Sequence, residues 1–437
     1  MCADVTTAPV PALAPEPHVR SRYAADNLGR MRRRPPLEGD LRVDLCVIGG
    51  GLAGLSTAIE AAERGLSVAV VEARRIGWGA SGRNGGQLLN GFAAGTDRLI
   101  AKVGEDKART MWRMSVEALD LVRDRISRHE IDCDFAEGVL MAALKPRHMR
   151  GLEAELARER AWGYDRSELI PAARIGEHVG SPRYIGGMLD RGAGHLDPLA
   201  YALGLARVAE EAGVRIFEET SATALHRGAP PRVETPHGSI TADAVVAAAN
   251  HENGRLIPEV RWKVMPVGTY VLATEPLDPA LAERLLPGRV AVSDCKFALN
   301  YFRLAGDRRM LFGGRVSYST LEPLNLDTAM RRTMIGIFPD LADVPTAEVW
   351  GGFVDITHDR TPHFAAVTPE ILVLQGFSGH GLAATALAGR LAAEAVTGDR
   401  SRFDLFHGLR HIDFPGGWAR TPLLVATMAW FRLRDML

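Results

Sequence analysis

The stretch "DLCVIGGGLAGLSTAIEAAERGLSVAVVEA", Asp44 to Ala73, constrains the fold more than any other part of the chain. "VDLCVIG" reads as a buried strand, "GLSTAIEAAERG" as a helix stopped by Gly65, and "SVAVVE" as a second strand. The turn between strand and helix carries Gly49-x-Gly51-x-x-Gly54. The first glycine makes a tight turn, the second lets backbone approach a pyrophosphate, and the third lets helix pack on strand. Leu52 and Ala53 lie at the helix N-terminus, which adds oriented N–H groups and a partial positive charge. Glu72 ends the second strand, where a carboxylate can hold two ribose hydroxyls, and Ala73 and Arg74 follow it. Three glycines alone are a weak signal. With strand, helix, second strand and terminal acid around them, they read as a dinucleotide site.

Two more glycine-rich segments choose the dinucleotide. "GWGASGRNGGQLLNG" interleaves Ala80, Ser81, Arg83, Asn84, Gln87 and Leu88 with glycines, among them Gly85 and Gly86. Such a loop is either a flexible surface segment or one that lets backbone close on a ligand; the second reading places it under a flavin ring and pyrophosphate. "QGFSGHG" joins a strand to an Ala-rich helix and brings Gly376, Ser378, Gly379, His380, Gly381 and Leu382. A second helix N-terminus there would stabilise the reduced flavin's N1/C2 oxygen region. Ala222 and Asn250 belong to a further nucleotide-fold segment, 194–255. NAD enzymes use one glycine-rich turn, so this combination favours FAD.

At 437 residues the chain exceeds what one hydrophobic core usually supports, and two domains are expected. Residues 1–39 read as an N-terminal arm whose "RMRRRPP" is a solvated basic segment laid over the domain, or else a patch for nucleic acid or anionic lipid. A Rossmann-like FAD-binding domain, α/β in class and discontinuous, takes residues 40–96, 194–255 and 355–410. An α+β substrate domain on a large antiparallel sheet takes 97–193 and 256–354, and 411–437 form a C-terminal tail or helix. Within this frame "GEDKARTMWRMSVEALDLVRDRISRHEI" is an amphipathic helix with Ala108, Met111, Ser115, Leu119, Val122 and Ile126 on one face. Asp197, Pro198 and Gly213 mark the start and stop of another. "RVETPHGSITADAVVAAAN" is a hairpin turning at His237–Gly238, then a buried strand, Val245 to Ala249.

Lys+Arg (52) and Asp+Glu (53) nearly cancel, so charge gives no reason to expect nucleic acid. Cys2, Cys46, Cys133 and Cys295 show no metal or redox spacing. They fit a reducing compartment, and a cytoplasmic protein without a metal is expected. No run reaches the ~20 apolar residues of a membrane span. The tail does offer Thr421 as N-cap, Pro422, the apolar run Leu423–Phe431, then Arg432 and Arg434. That pattern suits docking on the protein itself, on another subunit, or peripherally on the inner face of a membrane.

Together "CVIGGGLAGLSTAIEAAERGLSVAVVEA", "GWGASGRNGGQ", "GHLDPLAYALGLARVAEEAGVRIFEET" and "LQGFSGHG" resemble the D-amino-acid-oxidase-like (DAO) family of FAD-dependent amine and amino-acid oxidases, over about residues 40–410. "RIGWGASGRNGGQ", "WGGFVDITHDRTPHF" and "RFDLFHGLRHIDFPGG" resemble its branch of gamma-glutamylputrescine oxidases, with L-pipecolate and N-methylaminobutanoate oxidases nearby. The resemblance implies that an amine gives hydride to the flavin, that the imine is hydrolysed, and that oxygen is reduced to hydrogen peroxide. Gly352 stands where monomeric sarcosine oxidases carry a flavin-linking cysteine, which implies non-covalent FAD. Leu382–Ala383 replaces their Phe-Lys pair, so a short carboxylate clamp is missing.

Substrate-side residues are less determined. His358 and Asp355, in "VDITHD", lie on the segment that faces the flavin in the family, and His358 is the first choice. Trp262, Tyr270, Tyr301 and Phe302 form either an alkylamine lining or sheet packing. Arg303 or Lys296 would meet a distal carboxylate, and Lys296 or Lys263 would assist oxygen reduction. Two other readings remain: a dehydrogenase passing electrons to a membrane quinone, and a non-catalytic flavin-binding subunit.

Overall fold

The computed structural model describes residues 18–296, 299–317 and 325–414. From the N-terminus come α1 (Arg22–Asp26), β1 (Gly39–Ile48), α2 (Leu52–Glu63), β2 (Val68–Val71), β3 (Gln87–Leu88), α3 (Thr96–Val103) and α4 (Glu105–Arg128). The middle holds β4 (Ala136–Ala143), α5 (Pro146–Ala161), β5 (Ser167–Ile170), β6 (Gly186–His195), α6 (Pro198–Glu211), β7 (Arg215–Phe217), β8 (Ala224–His226), β9 (Arg232–Thr235), β10 (Gly238–Ala247) and α7 (Asn253–Leu256). Then follow β11 (Met265–Thr274), α8 (Pro279–Leu285), β12 (Ala291–Asp294), β13 (Tyr301–Leu304), β14 (Met310–Ser317), α9 (Leu326–Ile337), β15 (Thr346–Ile356), β16 (His363–Thr368), β17 (Ile371–Gln375), α10 (Gly381–Val396) and α11 (Phe403–His407).

The first sheet runs β16-β17-β10-β1-β2-β7, with the β8–β9 hairpin attached to β10. Strands β17 to β7 are all parallel, and β16 is an antiparallel edge. Leu45 and Val47 of β1 enter a core shared with α2, α4, α6 and α10, whereas Cys46 and Ile48 enter the core on the opposite face. Burial on both faces is why these strands read as unbroken apolar runs. Helices α2 and α10 meet through glycine: a Cβ on Gly389 would lie 2.5 Å from the Ser56 Cβ. The caps of α6 are as expected, with Asp197 Oδ1 accepting from the Leu199 and Ala200 N–H groups (2.9 and 3.0 Å) and Gly213 at φ +87°.

The second sheet runs β15-β11-β14-β13-β12-β4-β6-β3, with β5 on β6. One detail corrects the antiparallel expectation: β12 pairs with β4 in parallel. Residues 256–354 also contain α8 and α9, whose Leu326, Met330, Met334 and Ile337 follow helical spacing and back a core with Phe302, Phe312 and Phe338. The hairpin turn falls at Pro236–His237, because Gly238 already pairs with Thr235, and β10 is one continuous strand to Ala247.

The described part of the arm lies over the domain, with Arg30, Arg32 and Arg33 exposed and a few side chains turned inward. Tyr23, Ala24 and Leu37 are buried, and Arg34 and Arg30 pair with Glu210 and Asp132. Carboxylates on the domain surface draw the basic run onto it. No helix among the described residues is long and apolar enough to cross a membrane. The tail pattern from Thr421 to Arg434 lies outside the described residues.

Candidate active site

Among the described residues the chain passes between the sheets at four places: 72–87, 195–198, 260–265 and 356–363. In the first sheet the strand order reverses between β1 and β10, the kind of crevice where open α/β folds bind nucleotides at the carboxyl ends of their strands. Both α2 and α10 start from that edge.

The β1–α2 turn fits a pyrophosphate. Gly49 sits at φ +113°, and a Cβ there would lie 2.8 Å from the Ala248 carbonyl oxygen. A Cβ on Gly54 would lie 1.9 Å from the Gly49 oxygen, which excludes any side chain. Ser81 Oγ accepts from the Leu52 N–H at 3.0 Å, so the downstream loop closes onto the start of α2. Glu72 Oε2 accepts from the Gly50 N–H at 2.7 Å and Oε1 from the Arg74 N–H at 2.9 Å. A carboxylate has about four acceptor positions, so both oxygens keep room for a ribose hydroxyl. Burial raises the Glu72 pKa against the pull of these two N–H groups. The Thr220 N–H donates to the Glu72 carbonyl at 2.8 Å, which brings the Ala222 segment beside the acid, and Asn250, at φ +60°, follows the end of β10. Ala73 is exposed. Glu72→Ala is expected to weaken FAD binding by about 1.5–3 kcal/mol, the worth of a hydrogen bond to a charged group. Titration of apoprotein with FAD measures it, and an unchanged affinity would remove Glu72 from the site.

The loop from Gly79 to Gly86 is braced from within. Asn84 donates to the Ala80 and Ser81 carbonyls (3.0 and 3.1 Å) and accepts from the Gly86 N–H at 2.8 Å. Gln87 reaches the other sheet instead: it donates to the Val292 carbonyl at 3.0 Å and accepts from Ser293 Oγ at 2.7 Å. Leu88 is fully buried in the core. The two amides shape the loop through these bonds, and Leu88 anchors its end in the core. Arg83 donates to the Trp78 and Gly351 carbonyls (2.6 and 3.3 Å) and makes no ion pair with a described residue. Burial and then the neighbouring Arg74 lower its pKa to about 10. A partly buried cation without a carboxylate, beside this turn, suits an anionic ligand. Gly352 of β15 adjoins it, since a Cβ there would lie 3.4 Å from the Arg83 Cβ.

The second turn is tied to the end of β15. Gly376, at φ +74°, faces the Thr357 methyl, and Ser378, at φ +56°, donates its N–H to the Asp355 carbonyl at 2.9 Å. Gly379 is open, and His380 precedes α10, where Gly381 and Leu382 begin the helix. Burial and then Arg360 pull the His380 pKa down to about 4, so a neutral ring stands at that N-terminus.

The substrate-side expectations fare unevenly. Tyr301 is at the loop: a Cβ on Gly85 would lie 2.2 Å from its ring. Trp262 is half-buried with the Arg261 guanidinium 5.0 Å over its ring. Tyr270 and Phe302 are buried in the second sheet's core. His358 is exposed in the turn after β15, its ring 6.0 Å from Phe414, because the strand ends at Ile356 and the buried contacts there belong to Asp355 and Thr357. Arg303 is a correction. It is 1% exposed, and its Nε and Nη2 donate to the Gly85 and Leu196 carbonyls (3.0 and 2.8 Å). Nη2 also reaches Tyr23 OH and Nη1 reaches His195 Nδ1, so the guanidinium is a buried clamp on the loop, not an anchor for substrate. Lys263 pairs with Asp413, and Lys296 lies 3.7 Å from Asp294.

His251 was not singled out by its sequence context. Its Nδ1 lies 3.0 Å from Asp355 Oδ1 and its Nε2 3.3 Å from Glu252 Oε1. Burial opposes its charge, but Asp355 and Glu252 outweigh it and raise the pKa to about 9. Its position just past the end of β10, at the crevice, was the available signal.

A doubly wound nucleotide domain with two glycine turns on one edge, joined to a second sheet by its loop, defines a flavin-type oxidoreductase. The sequence pattern of the FAD dependent oxidoreductase family, DAO, matches residues 44–395, and the chain belongs to that family. It is 39% identical to the gamma-glutamylputrescine oxidoreductase of Escherichia coli over 422 residues, covering 96% of this chain and 99% of that protein. Among solved structures, glycine oxidase from Geobacillus kaustophilus superposes with TM-score 0.71 at 22% identity, covering 85% of this chain and all of that one. L-Proline dehydrogenase from P. horikoshii gives TM-score 0.70 at 21% identity, covering 84% and 99%. The protein is an FAD-dependent amine or amino-acid oxidoreductase.

Proposed function

We propose that the protein oxidises an aliphatic amine bearing a polar group several bonds from the nitrogen, with gamma-glutamylputrescine as the lead substrate and oxygen as the acceptor. The observation that carries this is the near full-length identity to gamma-glutamylputrescine oxidoreductase. Leu382–Ala383 in place of a short carboxylate clamp supports it. Bound FAD supplies the hydride acceptor. The chain's own part is to position the amine and exclude water, with Tyr301 as the aromatic wall beside the loop. The test is peroxide release and anaerobic flavin bleaching with gamma-glutamylputrescine, putrescine, pipecolate, N-methylaminobutanoate and sarcosine. Gamma-glutamylputrescine should be best, and sarcosine as best substrate would defeat the proposal. Bleaching without peroxide would point to a quinone acceptor, and no bleaching to a non-catalytic subunit.

We further read the FAD as non-covalent and the enzyme as cytoplasmic. Cys46, Cys133 and Cys295 are all unpaired thiols, and Gly352 offers no sulfur. Acid precipitation is expected to release the yellow colour to the supernatant, and colour held in the pellet would contradict it.

A further inference from the structure

The described part of the arm touches both ends of the loop from Gly77 to Gly86. At its start, His18 Nε2 lies 3.3 Å from the Ile76 carbonyl, with its ring 5.5 Å from that of Trp78. Arg34 donates its N–H to Glu218 Oε2 at 3.1 Å, and the other Glu218 oxygen accepts the Ile76 N–H at 2.9 Å. At the loop's end, Tyr23 is 3% exposed and sits edge-on to Trp350 at 5.2 Å. Trp350 Nε1 donates to the Arg83 carbonyl at 3.0 Å. The Tyr23 hydroxyl lies 3.2 Å from Arg303 Nη2, and that guanidinium holds the Gly85 carbonyl through Nε. The same Nη2 holds the Leu196 carbonyl, while the Leu196 N–H donates to the Gly86 carbonyl at 2.9 Å. Between, the helix α1 is capped by Ser21 Oγ, and Asn27 Nδ2 bonds Asp197 at 2.8 Å.

A loop with glycines at five of the positions from Gly77 to Gly86 has many shapes open to it. Its internal Asn84 brace ties Gly86 to Ala80 and Ser81 within the loop and does not tie the loop to the rest of the protein. Both ends are fixed by the arm or by side chains the arm supports. We propose that residues 18–37 are a strap that holds the loop in its FAD-binding shape, with Tyr23 as a positioning residue acting through Arg303 on the Gly85–Gly86 backbone. Because a loop ordered in advance does not have to be ordered at binding, the strap acts on cofactor affinity. The inference rests on the family's FAD dependence and not on the amine proposed above.

Tyr23→Phe removes the hydroxyl and keeps the ring on Trp350. Titration of each apoprotein with FAD, followed by flavin fluorescence, gives the dissociation constant, and visible circular dichroism of the holoprotein reports the flavin's surroundings. Tyr23→Phe is expected to raise the dissociation constant about tenfold, as for one hydrogen bond to a charged group, and to change the dichroism. Arg30→Ala, on the same strap but paired outward with Asp132, should bind FAD as wild type does. A merely structural tyrosine would lower the melting temperature of the apoprotein and leave the affinity of folded protein alone. A change under about threefold for Tyr23→Phe, or an equal weakening by Arg30→Ala, overturns the proposal.

Discussion

Arg303→Ala is expected to lower the free energy of unfolding by about 3–5 kcal/mol, from two buried carbonyls left unsatisfied at about 1–3 kcal/mol each. The side chain is 1% exposed, so its hydrogen bonds are made away from bulk solvent. Its loss strands the Gly85 and Leu196 carbonyls, which accept at 3.0 and 2.8 Å, and leaves His195 Nδ1 without its 3.4 Å partner. Asp134, 3.7 Å away, keeps Arg289 and is not orphaned, which sets the upper bound. Arg303→Lys keeps the charge but not the fork that serves two carbonyls at once, and should recover less than half. Urea unfolding of the apoproteins measures both. Wild-type stability with a raised KM for long amines would restore the anchor role to Arg303.

That reversal shows where sequence reasoning reaches and where it stops. The nucleotide half was legible because backbone chemistry dictates its residue types: glycine where a Cβ would meet Gly49 or Ala248, an apolar run where β1 is covered on both faces, an acid where β2 ends. The role of a polar side chain depends on what surrounds it. Arg303 in "NYFRL" alternates correctly for an exposed strand position, and only the fold brings Tyr23, Gly85, Leu196 and His195 around it. Asn84 and Gln87 have the composition of ligand contacts and spend their amides on the loop and on β12. The arm's position over the domain could be read from its composition but its partners could not, since Pro and Arg say nothing of Glu210, Glu218 and Asp132. His251 has Glu252 beside it in the chain but takes its closer partner, Asp355, from more than a hundred positions away, so its position past β10 was the only local signal.

Replacing His195 and His363 together by Gln is expected to shift relative stability in the variant's favour by about 5 kcal/mol between pH 7.5 and 4.5. Both rings are held down to about 3: His195 by burial and then by Arg303 and Arg289, against the Arg289 carbonyl, and His363 by burial and then by His411, Lys263, His407 and Lys102. His195 Nε2 is committed to the Arg289 carbonyl at 2.6 Å, so a second proton on Nδ1 would face the Arg303 guanidinium. His363 Nδ1 accepts from Gln375 Nε2 at 3.0 Å, and a proton there would collide with that donor. In the unfolded chain each imidazole takes its proton near 6.5. Below that pH the unfolded state binds more protons than the native one, so stability falls by about 1.4 kcal/mol per histidine per pH unit, until the native rings titrate near 3. Glu159, raised to about 7 by burial and by Asp190 and Glu155 against Ser167 and Asn90, acts in the opposite direction over part of this range. The difference between variant and wild type removes that contribution, because both carry Glu159. Glutamine has no charge to gain, so urea unfolding at several pH values isolates the two histidines. A stability difference that does not change with pH would mean that both rings take up their protons in the native state as readily as in the unfolded one.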